Sequence, residues 1–323
     1  MARTRYPFDE DGLRFEHELQ HGPASEARLE AWLARSPWTL PQALSLADEL
    51  VGHAHRHAWR AIDPLERAGH ADVRAHARRL QACLHALRQE VQPESCDRRL
   101  VEQAYGRNGW LLLSPPQPST RMLVVFTTMF NNFYVSNLVL LTLLQRLGCH
   151  LLLLKDATLA NYLAGVAGLA ADLPGIAAAV RSTATRLGAR QIFVCGFSSG
   201  GYAALYTALQ IHAQGYLGLS HAIDLRPDSS LPAPLFFTPA VRSRLDPAAQ
   251  VDLRTLLRAA DPHVPRWLMY GEHSLRDRPH ALHVSDLPTI EVLSVPDAGH
   301  NVVQALLASG RFIEAFVRLT TGR

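Results

Sequence analysis

The stretch Ile192-Phe193-Val194-Cys195-Gly196-Phe197-Ser198-Ser199-Gly200-Gly201-Tyr202-Ala203-Ala204-Leu205 constrains this chain more than any other. A run of strand-forming apolar residues enters Gly-x-Ser-x-Gly, and an Ala-rich helical pattern leaves it at once. A turn that tight drives the positions two residues either side of its apex into neighbouring backbone. Gly196 and Gly200 have no Cβ to collide there, and they tolerate the dihedrals the turn imposes. Ser198 is then presented above the end of a strand, at the positive end of the following helix. That is the context a nucleophile elbow requires. Ser199 fits the apex less well, because Phe197 stands two residues before it, where a small residue is needed.

A serine hydroxyl is a poor nucleophile until a base takes its proton. Ile290 to Val295 reads as a last strand, and Pro296-Asp297-Ala298-Gly299-His300 follows it ahead of a helical pattern. His300 is the candidate base. A carboxylate that holds the imidazole in one tautomer and stabilises the imidazolium should follow the penultimate strand, Arg266 to Gly271. Three acids stand near, Glu272, Asp277 and Asp297. Asp277 is favoured, although an aspartate just before a helix also serves as an N-cap.

Taken together, these residues resemble the α/β-hydrolase superfamily, over roughly Leu100 to the C-terminus. The order Ser198, Asp277, His300 is that family's order. The resemblance implies a mostly parallel central sheet flanked by helices. Arg99–Ala104 and Trp110–Ser114 read as leading antiparallel strands, followed by strands at 122–127, 150–155, 191–195, 216–220, 266–271 and 290–295. Leu151 to Leu154, four leucines in a row, suit a strand covered on both faces. Many members carry an aspartate three residues after the glycine that ends the penultimate strand; here that position is Ser274. The resemblance also implies an oxyanion hole. One donor is the N–H of Ser199, and the second comes from the loop Thr127 to Asn132, at Thr128 or Met129. Ser-His-Asp chemistry needs no cofactor, so none is expected. The expected reaction is cleavage of a small acyl ester or thioester through an acyl-enzyme. Acyl transfer on the same scaffold, and a non-catalytic interaction protein that keeps the fold, stand as alternatives.

Residues 221–265, between the sixth and penultimate strands, are broken by prolines and read as a short lid with helices at 240–245 and 250–259. Asp156, at the carboxyl edge of the sheet, and Phe197, Phe236 and Phe237 are the candidate substrate-pocket residues. Residues 1–95 contain no strand pattern and read as an all-α appendage, with helices at 25–35, 41–57 and 73–88 and a helical turn at 63–68. That appendage is the expected surface for a protein partner or a second copy of the chain, and the hydrolase domain takes residues 96–323. His53 and His57 lie one helical turn apart, but no third ligand is evident and no metal site is expected.

The 323 residues are 48% hydrophobic and 19% charged, an ordinary globular balance. A formal charge of +3 does not point to nucleic acid. Lys155 is the only lysine among the basic residues, and the Arg, Ala and Leu richness fits a GC-rich bacterial genome. No apolar run reaches the length of a membrane span. Met1 to Gly12 lacks an apolar core of the secretory kind, and Cys83, Cys96, Cys149 and Cys195 show no paired spacing, so a reducing cytoplasm without disulfides is expected.

Overall fold

The computed structural model describes residues 40–67, 69–92, 96, 99–100, 104, 108–156, 158–234 and 237–322. These fall into two compact units, one before residue 107 together with Leu307–Ser309, the other comprising the remainder.

In the first unit α1 (Leu40–Gly52), α2 (Ala58–Glu66) and α3 (Ala71–Glu90) form a helical cluster. Its interior is Leu46, Leu50, Ile62, Leu65, Leu80 and Leu84, each at most 2% exposed. The expected 41–57 helix stops at Gly52, a poor helix former, and Ala54 then turns with φ +51°. The expected turn at 63–68 is the C-terminal part of α2, which carries Pro64. The helix expected at 25–35 lies outside the described residues.

The second unit is built on a seven-stranded sheet of order β1-β3-β2-β4-β5-β6-β7. Its strands are β1 (Trp110–Leu113), β2 (Arg121–Phe126), β3 (His150–Leu154), β4 (Gln191–Phe197), β5 (Gly215–Leu219), β6 (Arg266–Gly271) and β7 (Glu291–Val295). Only the β1–β3 pairing is antiparallel. Of the strand expected at 99–104, the described residues Arg99, Leu100 and Ala104 are helical, and residues 101–103 lie outside the described residues. Leu100 and Ala104, four residues apart, share one face in a helix and in a strand alike, so their spacing does not by itself choose between the two. The central strands are apolar on both faces, and β3 and β5 are buried throughout.

Flanking helices follow from their caps and apolar faces. After β2 comes α4 (Asn137–Leu144), capped by the Ser136 hydroxyl, which accepts from the Val139 N–H at 3.3 Å. α5 (Leu173–Leu187) is capped by Asp172, accepting from Gly175 N–H at 2.7 Å, and stops at Gly188 with φ +67°. α6 (Ser199–Gln210) follows β4 directly. Between β5 and β6 the expected short helices are α7 (Pro239–Arg242) and α8 (Leu253–Arg258). α9 (Asp277–Leu282) separates β6 from β7, and α10 (Val302–Ala308) and α11 (Arg311–Thr321) end the chain. Among the described residues no helix is long and apolar enough to cross a membrane.

The chain moves outward from β2 to β3 and then returns to the other side of β2 to make β4. Loops leaving β2 and β4 therefore diverge from one carboxyl edge, the switch point at which open α/β sheets bind ligands. Beside it the loop after β3 runs through Leu159, Asn161 and Tyr162, all at positive φ between +52° and +64°. Asp156 holds this loop. It is fully buried, and its carboxylate accepts from Thr158 N–H (2.8 Å), the Thr158 hydroxyl (2.5 Å) and Tyr162 N–H (3.0 Å). Of the two roles the sequence leaves open for Asp156, contact with substrate or a cap on the next segment, its three hydrogen bonds are those of the cap. Asp156→Ala leaves the buried Tyr162 N–H unsatisfied and is expected to lower unfolding free energy by about 1–3 kcal/mol in urea titrations.

Candidate active site

Ser198 links β4 to α6 with φ +54° and ψ −120°, a conformation rare for a residue bearing a Cβ. The reason for the flanking glycines is visible in the packing. A Cβ on Gly200 would lie 2.4 Å from the Thr127 carbonyl oxygen and 2.6 Å from that of Phe126. One on Gly196 would lie 2.5 Å from the Ala204 methyl and 2.7 Å from the Gly200 carbonyl. On the other side, Ser198 N–H donates to Leu219 O at the end of β5, 2.9 Å. The apex is thus held between the ends of β2 and β5.

His300, in the loop after β7, reaches this apex. Its Nε2 is 2.8 Å from Ser198 Oγ, and its Nδ1 is 2.8 Å from Asp277 Oδ2. An ionised carboxylate only accepts, so Nδ1 carries the imidazole proton and Nε2 is left to accept from the serine hydroxyl. The Phe197 ring stacks on the imidazole, centroids 5.8 Å apart at 26°, and leans in turn on Phe133.

Asp277 is 3% exposed. Burial pushes its carboxyl up, but the hydrogen bond and charge of His300 and the hydrogen bond of Ser274 outweigh this and hold it below the usual aspartate value. Ser274 occupies the position where the family often has its acid. Its hydroxyl donates to Asp277 Oδ2 and accepts from Asp277 N–H at 3.2 Å. The carboxylate stands three residues downstream, at the start of α9, and Ser274 both anchors it and caps that helix. Its supporting role was missed in the sequence; the spacing Ser-x-x-Asp before a helix is the signal that carried it. Glu272 and Asp297 are exposed and engage each other, Asp297 N–H donating to Glu272 Oε2 at 3.2 Å.

Two N–H groups near the ends of β4 and β2 are left without a backbone acceptor. Ser199 opens α6, so no helical carbonyl lies a turn before it. In the loop after β2, Thr128 N–H donates to Asn132 O at 2.8 Å and Asn131 N–H to Thr128 O at 2.8 Å. Among the described residues Met129 N–H has no acceptor. Of the two loop positions raised from sequence, Met129 is the one with a donor to spare.

The elbow after β4, the acid after β6 and the histidine after β7 all stand on the carboxyl edge of one mostly parallel sheet. This is the α/β-hydrolase fold. No known family profile matches the sequence, and no curated protein matches it. Among solved structures, the chain is similar to carboxylesterase CesB of Bacillus subtilis, with 14% identity and a TM-score of 0.46 over 76% of this chain and 98% of that one. It is also similar to Est1E of Butyrivibrio proteoclasticus, with 12% identity and a TM-score of 0.45 over 66% and 94%. A lipase-esterase related protein of Clostridium acetobutylicum has 14% identity and a TM-score of 0.42 over 65% and 99%.

The remaining candidates of the α/β-hydrolase unit are placed as follows. Phe197 is buried against His300, and Phe237 is 3% exposed with the Arg242 guanidinium 5.0 Å from its ring centroid. Phe236 lies outside the described residues. In the helical unit His53 binds Glu49 at 2.9 Å, whereas His57 accepts from Arg56 Nε at 3.3 Å, so the two histidines have different partners. All four cysteines are free thiols, and burial pushes Cys83 up to about 12. Glu272, His273 and Asp297, all exposed, hold their donor atoms within 4.8 Å of one another.

Removing the Ser274 hydroxyl strips Asp277 of a hydrogen bond that favours its ionised form. In Ser274→Ala the Asp277 carboxyl is expected to titrate at higher pH than in the wild type, as read by carbon-13 NMR of the side-chain carboxyl.

Proposed function

We propose that this protein is a serine hydrolase that cleaves an acyl ester or thioester through an acyl-enzyme on Ser198. The observation that carries this reading is the continuous hydrogen-bonded path from Ser198 Oγ through His300 to Asp277, 2.8 Å at each step. Ser198 Oγ attacks the carbonyl carbon as His300 Nε2 takes its proton. The carbonyl oxygen becomes an oxyanion that the N–H groups of Ser199 and Met129 receive. Collapse of the tetrahedral intermediate breaks the bond to the leaving group, which takes the proton from His300. Water, deprotonated by the same nitrogen, attacks the acyl-serine, and collapse releases the acid and free Ser198. Asp277 stays ionised throughout and stabilises the imidazolium formed in each half-reaction.

In this reading the hydrolase domain spans 96–323, residues 221–265 form a lid, and residues 1–95 are an appendage offering a surface to a protein partner or a second copy. The substrate is a small acyl compound, and the expected setting is a bacterial cytoplasm. The non-catalytic alternative rests on the missing acid at position 274 and on the loop after β2, which lacks the His-Gly stretch many esterases of the family carry. The hydrogen bond between Asp277 and His300 supports the catalytic reading instead.

Intact mass after exposure to a fluorophosphonate tests the nucleophile. One adduct on wild type and none on Ser198→Ala is expected; an unlabelled, folded wild type would overturn the proposal. Asp277→Asn reverses the tautomer preference of His300 and is expected to cut kcat by roughly three to four orders of magnitude.

A further inference from the structure

Beneath the elbow lies a pair of buried side chains that the reaction scheme leaves unused. Tyr216, in β5, has no exposed surface, and His221, two residues past the end of that strand, is 2% exposed. Their rings meet edge to face with centroids 6.0 Å apart, and the Tyr216 hydroxyl is 2.6 Å from His221 Nε2. The same hydroxyl lies 3.1 Å from the carbonyl oxygen of Gly201. Gly201 belongs to the first turn of α6, and its own N–H donates to Ser198 O at 3.1 Å. A short path therefore runs from the sheet through Tyr216 and Gly201 to the backbone of the nucleophile.

The imidazole fills space that two glycines leave for it. A Cβ on Gly201 would lie 2.3 Å from His221 Cγ, and one on Gly218 would lie 2.4 Å from both His221 Nε2 and the Tyr216 hydroxyl oxygen. The ring is thus a wedge between β5 and the helix that carries Ser199.

Proton placement follows from the partners. His221 Nδ1 is 2.7 Å from Ala222 O, which can only accept, so Nδ1 bears the proton. Burial pushes His221 down to about 4, leaving Nε2 with a lone pair that faces the Tyr216 hydroxyl. The hydroxyl has one proton for two acceptors: the shorter contact gives it to Nε2, and the Gly201 carbonyl shares the same proton as the weaker partner.

We propose that His221 and Tyr216 are positioning residues for the elbow, holding the first turn of α6 so that Ser198 Oγ and the Ser199 N–H stay aligned for attack and oxyanion capture. The inference rests on Ser198 being the nucleophile, so its test needs one readout that does not depend on reactivity. That readout is amide hydrogen exchange of a peptide covering 198–205, compared with the rest of the chain.

Tyr216→Phe keeps the ring and removes only the hydroxyl. Faster exchange confined to the elbow peptide is expected, with the maximal fluorophosphonate inactivation rate down roughly ten- to a hundredfold and the half-saturating concentration little changed. His221→Leu should behave alike, whereas His221→Gln, which can still present an acceptor to the hydroxyl, should regain much of the rate. Unchanged elbow exchange in Tyr216→Phe overturns the proposal, as does faster exchange with an unchanged inactivation rate. If His221→Leu does not fold, Tyr216→Phe and His221→Gln decide. If wild type itself takes no label, the nucleophile reading fails, and the exchange result alone decides whether Tyr216 and His221 hold the turn.

Discussion

The close approach of α6 to the end of β2 is the constraint on which the rest of the site depends. With Gly200 lodged against the carbonyls of Phe126 and Thr127, the first helical turn has only one way to leave the sheet. Ser198 at positive φ is strained by something like 1–3 kcal/mol, and such strain persists only where the surroundings over-determine it. Here they do. Leu219 receives its N–H from one flank, β2 blocks the other, and the Gly201 N–H closes on its carbonyl. The same contact brings the start of the loop that follows β2 against the first turn of α6.

Sheet order distributes the remaining groups. Each loop that carries one leaves the same edge, and the parallel strands act as a ruler that sets how far apart those loops begin. His300 can meet Ser198 because β7 and β4 are separated only by β5 and β6. Asp277 enters from between them, after β6, buried where a lone carboxylate would be costly. The pairing with His300 and the Ser274 hydroxyl reverses that cost, and the acid is held ionised beside a base that must accept a proton.

Three other buried side chains near the sheet edge tie neighbouring segments together through hydrogen bonds. His280 accepts from Ile223 N–H at 3.2 Å through Nδ1 and donates to Pro232 O at 2.9 Å through Nε2, tying the segment after β5 to α9. Tyr202 donates to Val251 O at 3.0 Å and accepts from Val251 N–H at 3.1 Å, holding the same segment to α6. Asp156 plays the corresponding part after β3. These contacts stiffen the loops around the site, so that pre-organisation of the reacting groups does not rely on the loops alone.

Much of this was legible in the linear chain because it is local. The elbow is a matter of five consecutive residues whose steric demands can be worked out from Cβ positions, and the four leucines of β3 declare a strand buried on both faces. The order Ser198, Asp277, His300 needs only strand counting. Other features were decided in three dimensions. Leu100 and Ala104 suit a helix or a strand until packing chooses. Asp156 stands at a sheet edge in sequence, yet whether it faces solvent or its own loop depends on how residues 158–162 fold back. Asp277, Glu272 and Asp297 were three acids within reach of one histidine, and only the path of the loop after β6, fixed by Ser274 capping α9, brings one of them to Nδ1. Sequence determines which groups a turn can present; the direction in which a short side chain finally points is set by contacts with residues distant in the chain, and these exist only once the sheet has formed.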